Sequence, residues 1–334
     1  MKNNAILSTD FQIPGLKKIF TGKVRDVYEY THKNKVYLIV VVTDRISAFD
    51  VVLPVGIPYK GAVLNEIASK FLDMADEEGI ETWKIDKIHP MVTVGLKAEP
   101  IMVEMIAREL LTGSLWRLYK EGVREICGIT LPDGMQEWDV FADGPIITPT
   151  TKAENGHDEN ISPEEIVRKG LTDKSTYDLM DVQTDSLFCM GAEFAEKMGL
   201  ILVDTKYEFG LIDGKLILID EIHTPDSSRY LYMEGFEESL KEGKVPKSLD
   251  KEFLRQWLIS QGFKGEDGQE VPEMSAEFIQ QVSDRYLELY ANIMGEKLEQ
   301  TEYSLEEIET SIMDFIQGLK DMEEPEKMPE MSEE

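Results

Sequence analysis

LILVDTKYEFGLIDGKLILIDEIHTPDSSR, residues 200–229, is the stretch whose reading decides how this chain folds. It opens as an apolar strand, and from Asp204 its alternation changes character. Asp204, Lys206 and Glu208 fall at i, i+2 and i+4, so a strand puts all three on one face. Val203, Thr205, Tyr207 and Phe209 take the other face, a set suited to a packed core. A turn follows at Ile212-Asp213-Gly214, then a second apolar strand, Leu216 to Ile219, ending in Asp220-Glu221. The polar loop Thr224-Pro225-Asp226-Ser227-Ser228 then delivers Arg229.

The turn decides which charges meet. A two-residue type I′ turn at Asp213-Gly214 pairs Lys206 with Glu221 and sends Asp220 to the other face. A three-residue loop with Gly214 left-handed pairs Lys206 with Asp220 instead. Glu208 then lies diagonal to Asp220, roughly 7–8 Å away and close enough for two carboxylates to share a cation. The three-residue register is the expectation, because it gives Lys206 a partner and groups the carboxylates. Two acidic strand ends with a lysine and an arginine suit a magnesium–nucleotide site; the alternative for this hairpin alone is a solvated sheet face.

Working outward, 334 residues suffice for two domains or one large two-lobed unit. A formal charge of −30 argues against nucleic acid or an anionic membrane as the main partner. It leaves room for a local basic pocket that takes a phosphorylated small molecule. Cys127 and Cys189 match no metal or redox spacing and read as buried structural thiols. With no signal-like apolar core near the start and no apolar run of spanning length, the chain reads as soluble and cytoplasmic.

The first third is strand-rich, with candidates at Lys23 to Tyr30, Val36 to Thr43, Met91 to Leu96 and Ile101 to Ile106. A helix is expected over Val63 to Asp76, and Lys97-Ala98-Glu99-Pro100 reads as a hinge between lobes. Expected units are an N-terminal β-rich lobe (1–100), a larger α+β lobe (101–262), C-terminal helices (263–320) and an acidic, disordered tail (321–334). Further helices are expected over Ser114 to Glu121 and Asp185 to Met198, after a Ser248 cap, and over Met274 to Met294. Ser304-Leu305-Glu306-Glu307 is a capping box for the last. Phe141 to Asn160 reads as a long irregular loop, of the kind that is functional or disordered.

Four other constellations carry possible chemistry. Gly22-Lys23-Val24-Arg25-Asp26 joins a glycine, which lets backbone N–H groups approach phosphate, to two neutralising cations. It lacks Walker A spacing and fits a plain turn as well. Thr43-Asp44-Arg45-Ile46-Ser47-Ala48-Phe49-Asp50 gathers polar residues where a buried strand emerges, a common place for a binding loop. Arg108 precedes Thr112-Gly113-Ser114, and Ser114 at a helix start either binds an anion or serves as an ordinary N-cap. Thr148-Pro149-Thr150-Thr151-Lys152 and His157-Asp158-Glu159-Asn160 lie in the long loop and match no metal motif.

Taken together, these runs resemble the phosphoribosylaminoimidazole-succinocarboxamide synthase (SAICAR synthetase) family. The resemblance rests on Gly22-Lys-Val-Arg-Asp, Thr43-Asp-Arg-Ile-Ser-Ala-Phe-Asp, Leu111-Thr-Gly-Ser, Thr148-Pro-Thr-Thr-Lys-Ala-Glu, His157-Asp-Glu-Asn-Ile, Asp204-Thr-Lys-Tyr-Glu-Phe-Gly and Thr224-Pro-Asp-Ser-Ser-Arg, in order from Gly22 to about Leu258. It implies a two-lobed α+β, ATP-grasp-like fold with antiparallel sheets and a helical C-terminal region. It also implies ATP-dependent ligation, in purine synthesis, of the carboxylate of an aminoimidazole ribonucleotide to the amine of L-aspartate. The cofactors would be ATP and Mg2+, and the partners small molecules, with a homo-oligomer left open.

By motif, Gly22, Lys23 and Arg25, with Lys97 and Glu104, would bind the nucleotide. Glu208 and Asp220 would hold magnesium, and Lys206 would contact phosphate or the reacting carboxylate. Arg108, Ser114 and Arg229 would grip the ribonucleotide phosphate. Asp44, Arg45, Ser47 and Asp158 would line the meeting place of imidazole and aspartate. The chain departs from the usual pattern at Glu109-Leu110, at Tyr230-Leu231 and at Tyr59, neighbours of the site rather than its charged members. The rival readings are a small-molecule kinase on a related fold and a non-catalytic nucleotide-binding protein.

Overall fold

The computed structural model describes residues 5–49, 51–152, 158–249, 251–266 and 268–321. In its first half, the chain runs through β1 (Leu16–Thr21), β2 (Arg25–His32), β3 (Lys35–Val42), β4 (Arg45–Ala48), β5 (Val51–Gly56), α1 (Lys60–Glu77), β6 (Lys84–His89), β7 (Val92–Leu96), β8 (Glu99–Arg108) and α2 (Gly113–Lys120). Short strands follow: β9 (Glu125–Ile126), β10 (Ile129–Thr130), β11 (Ile146–Ile147) and β12 (Thr150–Thr151). The second half holds α3 (Pro163–Arg168), α4 (Lys174–Lys197), β13 (Leu200–Ile212), β14 (Lys215–Ile219), β15 (Ser228–Tyr232), α5 (Phe236–Lys241), α6 (Glu252–Ser260), α7 (Ala276–Met294) and α8 (Leu305–Asp321).

Two antiparallel sheets organise these elements, and the fold is α+β. The first has the order β1-β2-β3-β7-β6; the second runs β11-β8-β13-β14, with β12 also on β8 and β15 also on β13. Lys97-Ala98 joins β7 of one sheet to β8 of the other. Val40 and Val42 of the first sheet, with Val24 of the β1–β2 turn, share a core with Val103, Met105, Tyr207 and Phe209 of the second. On the core side of β13, Val203, Thr205, Tyr207 and Phe209 are 0–2% exposed.

The hairpin register differs from the three-residue loop expected above. Ile212 pairs with Lys215 and Glu208 with Ile219, a two-residue turn at Asp213-Gly214. Both turn residues have positive φ, 51° and 78°, the type I′ geometry whose twist matches that of the flanking strands. Strand twist therefore outweighs charge pairing, and Lys206 does not pair with Asp220. The ladder stops at Ile219, and Asp220 takes φ 66°. The Trp83 indole holds that kink by donating to the Asp220 carbonyl at 3.0 Å.

Helices close both sheets, and several differ in extent from the sequence expectation. α4 packs on β13 and begins well before Asp185, at Asp173, whose carboxylate accepts the Thr176 N–H; its polar first turns bury only Tyr177 and Met180 and so carry little apolar period. Lys251 rather than Ser248 caps α6, since Ser248 bridges to Leu231. The Ser304–Glu307 box forms reciprocally, with Glu307 Oε2 accepting from the Ser304 N–H at 2.7 Å and Ser304 Oγ accepting from the Glu307 N–H at 3.2 Å. α8 then lays Ile308, Ile312, Ile316 and Leu319 over the outer face of the first sheet, against Tyr37, Ile39, Val41 and Val94. Among the described residues no helix is long and apolar enough to cross a membrane. Cys127 is half-buried and Cys189 is exposed on the outer face of α4, so the expectation of two buried thiols fails. The tail expected at 321–334 lies, beyond Asp321, outside the described residues, as do Asp50 and residues 153–157.

His223 locks α4 to the hairpin. A methyl at Gly191 would lie 2.2 Å from His223 Cε1, and the ring packs 4.6 Å from Phe71. Burial disfavours the imidazolium and pushes this histidine down to about 3. Because the folded value lies below the unfolded one, its contribution to stability is complete above the ordinary histidine value near 6.5 and is lost as pH falls from there toward 3. Unfolding titrations at pH 7 and pH 5 should show the parent losing about 2 kcal/mol more than His223→Asn, from ~1.4 kcal/mol per pH unit below 6.5. Equal losses in the two proteins would refute the assignment.

Candidate active site

The face of β13 opposite the core carries two charge clusters, one near each end of the run Asp204-Thr-Lys-Tyr-Glu208. At the first, Asp204 is shared by two arginines. Arg108 Nη1 donates to Asp204 Oδ2 at 3.1 Å, and Arg229 donates through Nε to Oδ1 at 2.8 Å and through Nη2 to Oδ2. Strand pairing sets this up, since Asp204 lies across from Arg108 on β8 and from Arg229 on β15. Burial opposes the Asp204 charge, but the two guanidiniums outweigh it and hold the carboxyl below the usual range.

The α2 N-terminus abuts this cluster. A methyl at Gly113 would sit 2.7 Å from Arg229 Nη1 and push on that guanidinium, and the φ of 62° suits glycine. Thr112, not Ser114, is the N-cap residue, and Ser114 is exposed in the first turn. Two arginines beside the free N–H groups of a helix start are chemically suited to an anion.

At the second cluster, Lys206 Nζ donates to Glu104 Oε1 and Glu208 Oε1, each at 2.8 Å, and Lys152 pairs with Glu208 Oε2. Burial works against the Lys206 charge, but Glu208 and Glu104 outweigh it and raise its pKa. Burial likewise opposes the Glu208 charge, yet Lys206 and Lys152 hold that carboxyl down at about 2. Burial raises Glu104, leaving it the more readily protonated of the pair.

This cluster opens into a cavity of about 700 Å3 between the two sheets. Gly22, Lys23 and Arg25 of the β1–β2 turn line it with Lys97, Ser47, Asp220 and Glu221. Arg25 spans the gap, pairing with Asp220 and with Glu221 Oε1 at 2.6 Å. Glu208 and Asp220 thus face one cavity, although through the left-handed kink at Asp220 rather than through the expected register. Val27, Leu38, Val40, Leu96 and Ala98 give one wall an apolar slot.

Other candidates fall elsewhere. Arg45 donates to the carbonyls of Leu7 (2.7 Å), Gly22 (3.0 Å) and Lys23 (3.2 Å) and to Asp26 Oδ1 (2.9 Å), so it braces the glycine turn from behind. Asp44 accepts the N–H groups of Ile6 at 2.8 Å and Gly61 at 2.9 Å and borders a separate cavity rather than this one. Asp158 is exposed at the edge of the loop, where its charge acts on Glu104. Lys152, Asp226, Lys251 and Arg255 also line the cavity, beyond the residues expected from sequence. Lys152 and Asp226 lay inside quoted motifs, whereas Lys251 and Arg255 sit on a helix read only for its apolar side.

The donor chemistry fits a hard cation. Among the described residues no group of three or more His, Cys, Asp or Glu could hold a metal. Magnesium bound to nucleotide needs only one or two carboxylates, with phosphate oxygens and water completing its shell. Glu208 and Asp220 supply that number.

The SAICAR synthetase family model matches residues 18–272 of this chain. The phosphoribosylaminoimidazole-succinocarboxamide synthase of Bacteroides thetaiotaomicron is 55% identical over 315 residues, covering 93% of this chain and 99% of that protein. The SAICAR synthase of Saccharomyces cerevisiae, solved in complex with SAICAR, superposes with a TM-score of 0.76 at 28% identity, covering 88% of this chain and 99% of that one. A SAICAR synthetase solved with ADP shares the fold at a TM-score of 0.63 and 22% identity, over 84% of this chain and 99% of the other.

Proposed function

The chain belongs to the SAICAR synthetase family, and from that premise we propose how its residues divide the work. The reaction is the ATP-dependent ligation of L-aspartate to the carboxylate of an aminoimidazole ribonucleotide, giving SAICAR; the kinase alternative is not favoured by any relative. The apolar slot at Val27, Leu38 and Leu96 takes the adenine, and the turn at Gly22, Lys23 and Arg25 covers the ATP phosphates. Arg108, Arg229 and the α2 N-terminus bind the phosphate of the ribonucleotide. Lys206 and Lys152 direct its carboxylate toward the γ-phosphate. Lys251 and Arg255, on the remaining wall, take the carboxylates of aspartate, within a cytoplasmic enzyme whose partners are small molecules.

A carboxylate is a poor electrophile, so its activation as an acyl phosphate gives the amine a good leaving group to displace. Lys206 stays charged and offsets the negative charge that gathers during phosphoryl transfer. Magnesium, held by Glu208 and Asp220, would supply further neutralisation of the phosphate oxygens. Binding the amine beside the activated carbonyl supplies much of the rate advantage, and no protein nucleophile is required.

One observation carries this division. The arginine pair at Asp204 and the lysine–carboxylate cluster at Glu208 lie four residues apart on one strand face, about 13 Å along β13. A ligand with phosphate at one end and carboxylate at the other fits that spacing. The test is a coupled ADP-release assay, with ADP release expected only when ribonucleotide and aspartate are both present. Release with ATP alone at the same rate would defeat the reading.

A further inference from the structure

The floor of the cavity holds a buried charge network of which the roles above use only Lys251. Asp226 Oδ2 accepts from Lys60 Nζ at 2.9 Å, and Asp226 Oδ1 accepts from the Tyr286 hydroxyl at 2.9 Å. Lys251 Nζ stands 3.5 Å from the same Oδ1. That is well outside the 2.7–2.9 Å of a charge-assisted hydrogen bond, so this pair is loose.

Tyr286 belongs to α7, which follows the stretch matched by the family model. Its ring also lies over Lys60, with the ammonium 5.2 Å from the centroid. One turn earlier, Ser283 Oγ donates to the Pro58 carbonyl at 2.9 Å, so the same face of α7 grips the chain entering Lys60. Lys60 is fully buried and spent on Asp226, whereas Lys251 keeps 17% of its side chain exposed to the cavity. Of the two cations beside Asp226, the exposed one is Lys251.

We propose that Tyr286 is a positioning residue for the ligation: its hydroxyl occupies Asp226 Oδ1, keeps Lys251 from closing onto that carboxylate, and so leaves the Lys251 ammonium for a carboxylate of the amino-acid co-substrate. The proposal rests on the assignment of this wall to aspartate. Without the hydroxyl, Oδ1 loses its short donor and Lys251 moves in to replace it. The ammonium is then spent inside the protein, and aspartate must displace it to bind. Nucleotide and ribonucleotide contacts lie on other elements and are untouched.

Tyr286→Phe removes the hydroxyl and keeps the ring over Lys60. The expected result is an aspartate KM raised about 5- to 10-fold, about 1–1.4 kcal/mol, with kcat and the other two KM values within about twofold. In a Lys251→Met background the same change should add less than about twofold, because the group it acts through is gone. A merely structural role would lower stability and activity equally in both backgrounds, so the cycle stays informative even if Tyr286→Phe melts at a lower temperature. An unchanged aspartate KM, or an equal rise in both backgrounds, would overturn the proposal. A rise confined to the ribonucleotide KM would overturn it through the wall assignment, while aspartate-dependent ADP release in the parent would keep the ligase reading intact.

Discussion

Glu208→Gln should lower kcat for aspartate-dependent ADP release by about 10³-fold, with a much smaller change in the ribonucleotide KM. Glutamine keeps the size and one acceptor oxygen but removes a charge that three groups use. Lys206 bonds Glu208 Oε1 at 2.8 Å, Lys152 pairs with the other oxygen, and the magnesium–nucleotide would draw on the same carboxylate. With that charge gone, Lys206 retains only Glu104, whose own ionisation is disfavoured by burial. The arginine cluster at Asp204, proposed above to take the ribonucleotide phosphate, is four residues away and keeps its arginines. A steady-state assay across magnesium concentrations checks this, and an activity within threefold of the parent with an unshifted magnesium titration would remove Glu208 from the metal site.

The second large effect falls on stability. Asp204→Asn should cost about 3–5 kcal/mol, the loss expected when one partner of a buried ion network is neutralised. Arg108 is buried and has Asp204 as its ionic partner, and Arg229 makes two bonds to the same carboxylate. Removing the anion leaves two guanidiniums facing each other across β13. For a chain of this size the melting temperature should fall by about 4–7 °C. A bound phosphate replaces the missing charge, so saturating ribonucleotide should raise the melting temperature more in the variant than in the parent. A fall below about 2 °C, or equal stabilisation of both proteins by ribonucleotide, would show that Asp204 is not the anion these arginines depend on.

The face of β13 could be read from sequence because its period of two leaves no other arrangement for Asp204, Lys206 and Glu208 once Tyr207 and Phe209 are buried. What escaped was long-range. Turn geometry at Asp213-Gly214 followed strand twist, which local charge counting ignores. The kink at Asp220 is held by Trp83, a residue 137 positions away, so no window around the hairpin reveals it. Arg45 looked like a binding residue because it is charged and sits in a binding-type loop. Its guanidinium instead goes behind the Gly22–Lys23 turn, and only the packed fold distinguishes those two uses of one side chain. Lys251 and Arg255 were hidden differently: they share a helix with Leu254 and Leu258, whose apolar period accounts for the segment without them.

Because α8 supplies one side of the first sheet's outer core, that sheet cannot be completed by the residues that form it. Strands β1–β3 and β6–β7 are all made before residue 97, while Ile308, Ile312, Ile316 and Leu319 emerge from the ribosome about 200 residues later. At 5–20 residues per second, the wait is on the order of tens of seconds. Throughout it, Ile39, Val41 and Val94 lack their covering helix. A nascent chain in this interval presents an apolar face of the kind chaperones hold, and a truncation before Leu305 would make that interval permanent.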